Sequence, residues 1–389
     1  MKDKTLLGLN ASVFLMMIGV GMIVALLPQR IIEMDGHEQN VGYLASAFAI
    51  SYIILQVPIG TLADKFGFKI FLTIGYFLCA ITGLCFYFSS GAFMIFLSRL
   101  LQGAGEAPIW ALAPALLSVK YPRNKGEVMG SYNAVLHIGL TLGPMAGVLL
   151  AKTCQPSALF LLYAVACFLG AILTIWLVDD VSPQKPLAAS FNISSILELS
   201  KDRGSFLTLL GITLYGTGYG IFLTSIPAYL LQVKNFSSEY IGIFFSLFYV
   251  AISVSQIITG KLADKFGPNI FMICGLVIAS LGLGAISFLG FWGIFTMLTL
   301  AGLGLGVFYL SSMIYLNETV DISLKGTISG AYYLFWGIGM FFGPPLFSIL
   351  SQSSGYTVSL VVYSLLFISI AVAMILILPT PTSRRENGE

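Results

Sequence analysis

The sequence is dominated by apolar runs, each long enough to cross the hydrocarbon core of a bilayer, which takes about 20 helical residues. A soluble domain carries about 25% charged residues, whereas this chain of 389 residues is 57% hydrophobic and only 9% charged. Backbone groups in lipid must be satisfied within each segment, so helices are expected. We therefore predict an all-α integral membrane protein with twelve transmembrane helices. The predicted spans are 5–29, 40–62, 70–90, 92–117, 127–151, 157–178, 205–231, 239–261, 270–288, 290–316, 326–350 and 356–379.

The basic residues predict the orientation of these spans. With both termini in the cytoplasm, fifteen of the 19 Lys and Arg residues lie in cytoplasmic segments and three in outside loops. Arg99 alone lies within a span. This asymmetry follows the positive-inside rule and favours a bacterial inner (plasma) membrane protein with cytoplasmic termini. The net charge of +2 gives no reason to expect a nucleic-acid partner, and we expect a monomer.

The two halves of the chain repeat each other at an offset of 200 residues. The segment Gly60–Gly67 recurs as Gly260–Gly267. Further pairs at this offset are Gln56 and Gln256, Lys125 and Lys325, Gly126 and Gly326, Gly130 and Gly330, Tyr132 and Tyr332, and Gly143 and Gly343. The repeat predicts two pseudo-symmetric six-helix bundles, 1–178 and 205–389, joined by a cytoplasmic linker at 179–204. Parallel repeats of this kind hold a substrate near mid-membrane and rock around it.

The duplicated segment resembles the signature of the major facilitator superfamily, G-x-L-A-D-[RK]-x-G-[RK]-[RK]. The matching residues are Gly60, Leu62, Ala63, Asp64, Lys65, Gly67 and Lys69, while Phe68 departs from the pattern. The resemblance implies a major facilitator fold in which these loops gate the cytoplasmic side. The predicted gating residues are Gly60, Asp64, Lys65, Gly67, Asp264 and Lys265. Physically, a carboxylate at a helix end can meet the N-terminus of a neighbouring helix.

The fifth span resembles the antiporter signature of that superfamily, G-x8-G-x3-G-P-x2-G-G. The matching residues are Gly130, Gly139, Gly143, Pro144 and Gly147, with Val148 in place of the last glycine. Glycines four residues apart form one smooth helix face, and a proline bends the helix. Gly19, Gly21 and Pro28 in the first span also resemble the twelve-span drug:proton antiporters. For the glycine face of the fifth span, simple helix packing is the alternative interpretation.

The fourth span carries the costliest side chains. Arg99, Gln102, Gly103 and Gly105 match the superfamily motif R-x-x-Q-G-x-G, and the resemblance links Arg99 to proton coupling. Glu106 is the acid placed deepest in any span, where a charge costs several kcal/mol unless it is paired or takes up a proton. Residues 99 and 106 lie on one helix face but about 10 Å apart along the axis, so direct contact requires an intervening group. Glu106 is the predicted proton or substrate site, and a structural ion pair is the alternative.

Other polar residues within the spans are weaker candidates. His137 could relay protons or donate a hydrogen bond between helices. Candidate residues for lining a cavity are Asn10, Gln56, Gln102, Asn133, Tyr215, Tyr219, Gln256, Tyr309, Tyr332 and Trp336. For each of these, packing between helices is the competing interpretation.

These patterns favour a secondary transporter, specifically a proton-coupled antiporter that exports a small organic molecule, as in multidrug efflux. A proton-coupled symporter of an organic anion is the alternative, with Arg99 binding the anion. The sequence contains no nucleophile–histidine or metal-ligand spacing typical of an enzyme, and no P-loop for ATP. We expect no metal and no cofactor, only a proton gradient. A channel is less consistent with duplicated gating loops and a buried acid.

Overall fold

The computed structural model describes residues 3–35, 42–151, 155, 157–181, 201–223, 225–236 and 238–378. Every regular element in this described part is a helix, which confirms the all-α prediction. The helices are α1 (Lys4–Asp35), α2 (Gly42–Phe66), α3 (Phe68–Phe88), α4 (Ala92–Lys120), α5 (Lys125–Ala151), α6 (Ala158–Leu177), α7 (Arg203–Leu223), α8 (Ser225–Gln232), α9 (Ser238–Phe266), α10 (Pro268–Ala285), α11 (Phe291–Glu318) and α12 (Lys325–Ile377).

Glycines mark the sharp changes of direction between these helices. Gly67 and Gly267 have φ of 92° and 80° and separate α2 from α3 and α9 from α10. That left-handed conformation is readily available only to glycine. Gly355, with φ of 83°, lies within α12, between the predicted spans 326–350 and 356–379. The predicted span 205–231 covers both α7 and α8.

The helices have the length and surface of membrane spans. Within the described ranges, eight helices are long and apolar enough to cross a bilayer. Large apolar side chains are exposed, including Trp176 at 81%, Leu376 at 80% and Trp292 at 78%. Such a surface is costly in water but is expected against lipid tails. The protein is therefore an integral, multi-pass membrane protein.

The chain divides into two compact units that are not continuous in sequence. Unit 1 contains residues 1–120, 135–191 and 320–334. Unit 2 contains residues 121–134, 192–319 and 335–389. The start of α5 thus belongs to unit 2 and the start of α12 to unit 1, although the rest of each helix belongs to the other unit. The predicted boundaries at 178 and 205 remain a prediction about the repeat.

In unit 1, the residues after α6 connect three other helices. Lys120 of α4 pairs with Asp179 at 2.7 Å, and the Asp179 carboxylate also accepts a hydrogen bond from Thr5 of α1. These contacts, chiefly the hydrogen bond from Lys120, lower the pKa of Asp179. Asp180 lies against Gly67 and accepts a hydrogen bond from the backbone N–H of Lys69 at the start of α3. A side chain at position 67 would occupy the space of this carboxylate.

Candidate functional site

A chain of hydrogen bonds runs along one face of α4. Arg99 Nη1 donates to Gln102 Oε1 at 2.7 Å, and Gln102 Nε2 donates to Glu106 Oε1 at 2.8 Å. Trp110 Nε1 donates to Glu106 Oε2 at 3.2 Å. Spacings of three and four residues place all four side chains on the same face of one helix. The expected separation of Arg99 and Glu106 is confirmed, and Gln102 is the group between them.

Glu106 is buried and held by neutral donors. The side chain is 3% exposed, and each carboxylate oxygen accepts a bond from an uncharged N–H. The Gln102 amide lies between Arg99 and Glu106, and an amide can polarise but cannot neutralise the carboxylate. Because an isolated charge at this depth is costly, the arrangement suits a group that takes up and releases a proton.

Aromatic rings surround this chain within unit 1. The Arg99 guanidinium lies over the ring of Phe48, 4.8 Å from its centroid. Trp110 packs edge-on against His137 and Tyr333, with ring centroids 6.3 and 6.1 Å apart. His137 is 1% exposed and lies beside Trp110, the partner of Glu106. Tyr332 stacks edge-on against Tyr333 and extends the same aromatic group.

A second aromatic cluster lies in unit 2. Tyr309 donates to the Oδ1 of Asn133 at 3.1 Å and packs against Tyr215 with centroids 5.4 Å apart. Tyr215 contacts Tyr219, and the rings of Tyr219 and Trp336 have centroids 5.6 Å apart. The structure thus brings these five cavity candidates together in one cluster.

Asp64, a predicted gating residue near the C-terminal end of α2, caps the start of α12 within unit 1. Its carboxylate accepts bonds from the backbone N–H groups of Gly326 and Thr327 at 2.6 and 2.7 Å, and from the Thr327 hydroxyl at 2.6 Å. The Asp64 side chain is buried. Gly60, one turn earlier, packs directly on Gly326. This confirms the expected meeting of a carboxylate with a helix N-terminus.

Asp264 makes the corresponding contact in unit 2. It accepts bonds from the backbone N–H groups of Gly126 and Glu127 at the start of α5, both at 2.8 Å. The Asp264 side chain is exposed, unlike that of Asp64. Lys125 at the same helix start pairs with Glu318 at 2.8 Å. The two predicted gating lysines, Lys65 in α2 and Lys265 in α9, are exposed, and each lies over the ring of the phenylalanine that follows it.

The glycines of α5 divide between two partners. Gly139, Gly143 and Gly147 pack against α1, where added Cβ atoms would meet backbone or side-chain atoms at 2.5 to 3.3 Å. Gly130 instead packs against the backbone carbonyl of Gln256 in unit 2. The side chain of Pro144 lies outside the described part of the structure.

Three cavity candidates remain, and some neighbours of the site were not predicted. Gln56 and Gln256 are fully buried between helices, and Asn10 is half-buried in α1. Phe48, Tyr52 and Tyr249 were missed; Tyr52 contacts Tyr333, and the Tyr249 hydroxyl lies 3.4 Å from that of Tyr219. In an apolar span, no sequence pattern distinguishes an aromatic residue that lines a site from one that packs in the core. The duplicated Lys-Gly at 125 and 325 was the available signal for the capped helix starts.

The buried acid of α4 and the two helix starts capped by aspartates are features that the sequence led us to expect of a transporter. The chain belongs to the Major Facilitator Superfamily, whose family model matches residues 9–240 and 208–389.

Relatives with curated names are transporters. An MFS-type transporter of Methanocaldococcus jannaschii is 25% identical, covering 91% of this chain and 92% of its own. The quinolone resistance protein NorA of Staphylococcus aureus is also 25% identical, covering 88% of each chain. The chromaffin granule amine transporter of Rattus norvegicus is 24% identical over 82% of this chain and 62% of its own.

Solved structures share the fold. The human organic anion transporter MFSD10 aligns with a TM-score of 0.84 at 14% identity, covering 95% of this chain and 99% of its own. The fucose:proton symporter FucP of E. coli aligns with a TM-score of 0.78 at 16% identity, covering 96% and 98%.

Proposed function

We propose that this protein is a proton-coupled antiporter that exports a small organic molecule by alternating access. The observation that carries the proposal is Glu106, a buried acid bonded to Gln102 and Trp110 and linked through Gln102 to Arg99. In the proposed cycle, Glu106 takes up a proton when its surroundings open to one side and releases it to the other. Substrate and proton compete for this site.

The architecture that this mechanism requires is also part of the proposal. Twelve spans form two pseudo-symmetric bundles, 1–178 and 205–389, with the 179–204 linker and both termini in the cytoplasm of a bacterium. The protein acts as a monomer and draws its energy from the proton gradient, without another cofactor. We call residues 325–334 and 125–134, at the starts of α12 and α5, the gating segments. The caps at Asp64 and Asp264 hold these segments in the arrangement seen here.

Efflux is supported by the name of one relative and by the helix glycines. NorA is a quinolone resistance protein, so quinolones are rational first probes for this chain. The face formed by Gly139, Gly143 and Gly147 lets α5 lie closely on α1, as expected for a helix that slides during rocking.

The proposal is tested with purified protein in proteoliposomes. A panel of small organic compounds that includes quinolones is first screened for thermal stabilisation of the protein, and a stabilising compound is then used for uptake. An acidic lumen should drive uptake, because protons leave as substrate enters. Glu106→Gln should abolish this gradient-driven uptake, whereas the exposed Asp321→Asn, which removes the same charge elsewhere, should retain it.

The sign of the gradient separates the two transport modes. A symporter of organic anions, with Arg99 binding the anion, would accumulate substrate when the outside is acidic. Uptake under that gradient alone would replace antiport with symport. Gradient-driven uptake that persists in Glu106→Gln would contradict the role of Glu106.

A further inference from the structure

Two glutamines at equivalent positions of the repeat have buried side chains whose polar atoms lack hydrogen bonds. Gln56 in α2 and Gln256 in α9 both have 0% exposure. Neither Oε1 nor Nε2 of either residue forms a hydrogen bond within the described structure. Gln102 is equally buried, yet both of its amide atoms are bonded. Single polar atoms of several other buried side chains also lack a hydrogen bond, but among the described residues only Gln56 and Gln256 lack one at both amide atoms, and they occupy equivalent positions of the repeat.

That position is on the face that packs against the capped helix starts. Gln56, Gly60 and Asp64 follow one another at intervals of four residues along α2, so they share one face. Gly60 packs on Gly326, Asp64 caps it, and the backbone carbonyl group of Gln56 lies against Gly330. All of these contacts lie within unit 1.

The same arrangement recurs within unit 2. Gln256, Gly260 and Asp264 share one face of α9 and pack against the start of α5. A Cβ atom added at Gly130 would lie 2.5 Å from the carbonyl oxygen of Gln256, so no side chain fits between the two backbones. Each glutamine is therefore two turns from the aspartate that stabilises the same packed pair of helices.

The aspartate and the glutamine act in opposite directions on this packing. Charged caps stabilise the helix start, whereas a buried amide without partners costs the full desolvation of its polar atoms. When the helices part, water reaches the amide and the cost is removed. A transporter needs packed and parted arrangements of similar free energy, because only then do both become populated.

We propose that Gln56 and Gln256 are a matched pair that limits the stability of the packed gating segments. They keep 325–334 separable from α2 and 125–134 separable from α9. The proposal rests on alternating access in the proposed function but makes no use of Glu106. It predicts that removing the amides strengthens the packing, contrary to the usual effect of changing a buried residue.

Hydrogen–deuterium exchange of the full-length protein in lipid nanodiscs tests this directly, because amide exchange reports local opening. Gln56→Met keeps the length of the side chain and removes the amide. It should slow exchange in 325–334 by about tenfold, because the free energy that an unpaired buried group costs corresponds to a change of about that size in the opening equilibrium. Exchange in 125–134 should be unchanged. Gln256→Met should slow 125–134 and leave 325–334 unchanged.

The controls separate polarity from shape. Gln102→Met removes a bonded amide and should slow exchange in neither segment. Gln56→Leu should act like Gln56→Met, because both remove the amide. Unchanged or faster exchange in the matching segment, or a lower melting temperature of either methionine variant, would overturn the proposal, since it would show that the amides do not weaken the packing. Glu106→Gln should leave the exchange differences in place, so failure of the proton-coupling proposal is distinguishable.

Discussion

At the scale of single residues, the site depends on how Gln102 connects an acid to a base. The spacing of Arg99 and Glu106 predicted that a third group must separate them, and the structure supplies Gln102. The role of Trp110 could not be predicted, because its side-chain rotamer is fixed by contacts with His137 and Tyr333 that are remote in sequence.

Gln102→Met should destabilise the protein. The substitution leaves Arg99 and Glu106 each without one hydrogen bond, and bonds to charged groups contribute about 1.5–3 kcal/mol each. We expect a lower thermal unfolding temperature in lipid nanodiscs. The control is Gln352→Met on the exposed surface of α12, which should unfold at the wild-type temperature. Equal stability of the two variants would show that the hydrogen-bond chain has no net energetic value.

At the scale of helices, close packing at glycines and capping by aspartates position α5 and α12. The four-residue spacing of glycines predicted a smooth face on α5, but that spacing does not indicate that α1 is the partner helix. The aspartates were predicted to meet a helix N-terminus, whereas the partner helices, α12 for Asp64 and α5 for Asp264, emerged only from the structure.

Gly143→Val should disrupt the packing of α5 on α1. A Cβ atom at position 143 would lie 2.5 Å from the carbonyl oxygen of Ile18 and 2.7 Å from the Cα of Gly21. Backbone atoms cannot move aside cheaply, so the helices must separate and the melting temperature should fall. Gly91→Val is the matched control, because a Cβ atom there meets nothing within 4 Å. An unchanged melting temperature in Gly143→Val would contradict the described contact.

The two caps should differ in strength. Asp64 is buried and accepts three hydrogen bonds from the start of α12, whereas Asp264 is exposed and accepts two from the start of α5. Loss of a cap costs about 0.5–2 kcal/mol. Asp64→Ala should therefore accelerate hydrogen exchange in 325–334 more than Asp264→Ala accelerates it in 125–134. Equal or reversed effects would contradict this ranking.

At the scale of the whole molecule, composition and apolar runs predicted an all-α membrane protein, and the duplicated loop predicted its family. Residues 125–134 and 320–334 each belong to a different compact unit from the rest of α5 and α12. Hydropathy could not predict this division, because it follows from caps made by residues more than 130 positions away. The substrate is not encoded in any pattern, since aromatic rings serve both core and cavity.

The orientation of the chain is testable in intact bacterial cells. The predicted topology places Ser90 at the outer end of the span 70–90 and Arg123 in a cytoplasmic loop, and both side chains are exposed. In a background without native cysteines, Ser90→Cys should react with a membrane-impermeant maleimide. Arg123→Cys should react only after the membrane is permeabilised. The reverse pattern would invert the proposed orientation and the direction of transport.

The most direct test of the role of Glu106 is an infrared titration in proteoliposomes, which needs no substrate. We expect the wild-type protein to show the stretching band of a protonated carboxyl group that grows as pH falls, and we expect this band to be absent from Glu106→Gln. A difference spectrum without that band at any pH would contradict the claim that Glu106 carries the transported proton.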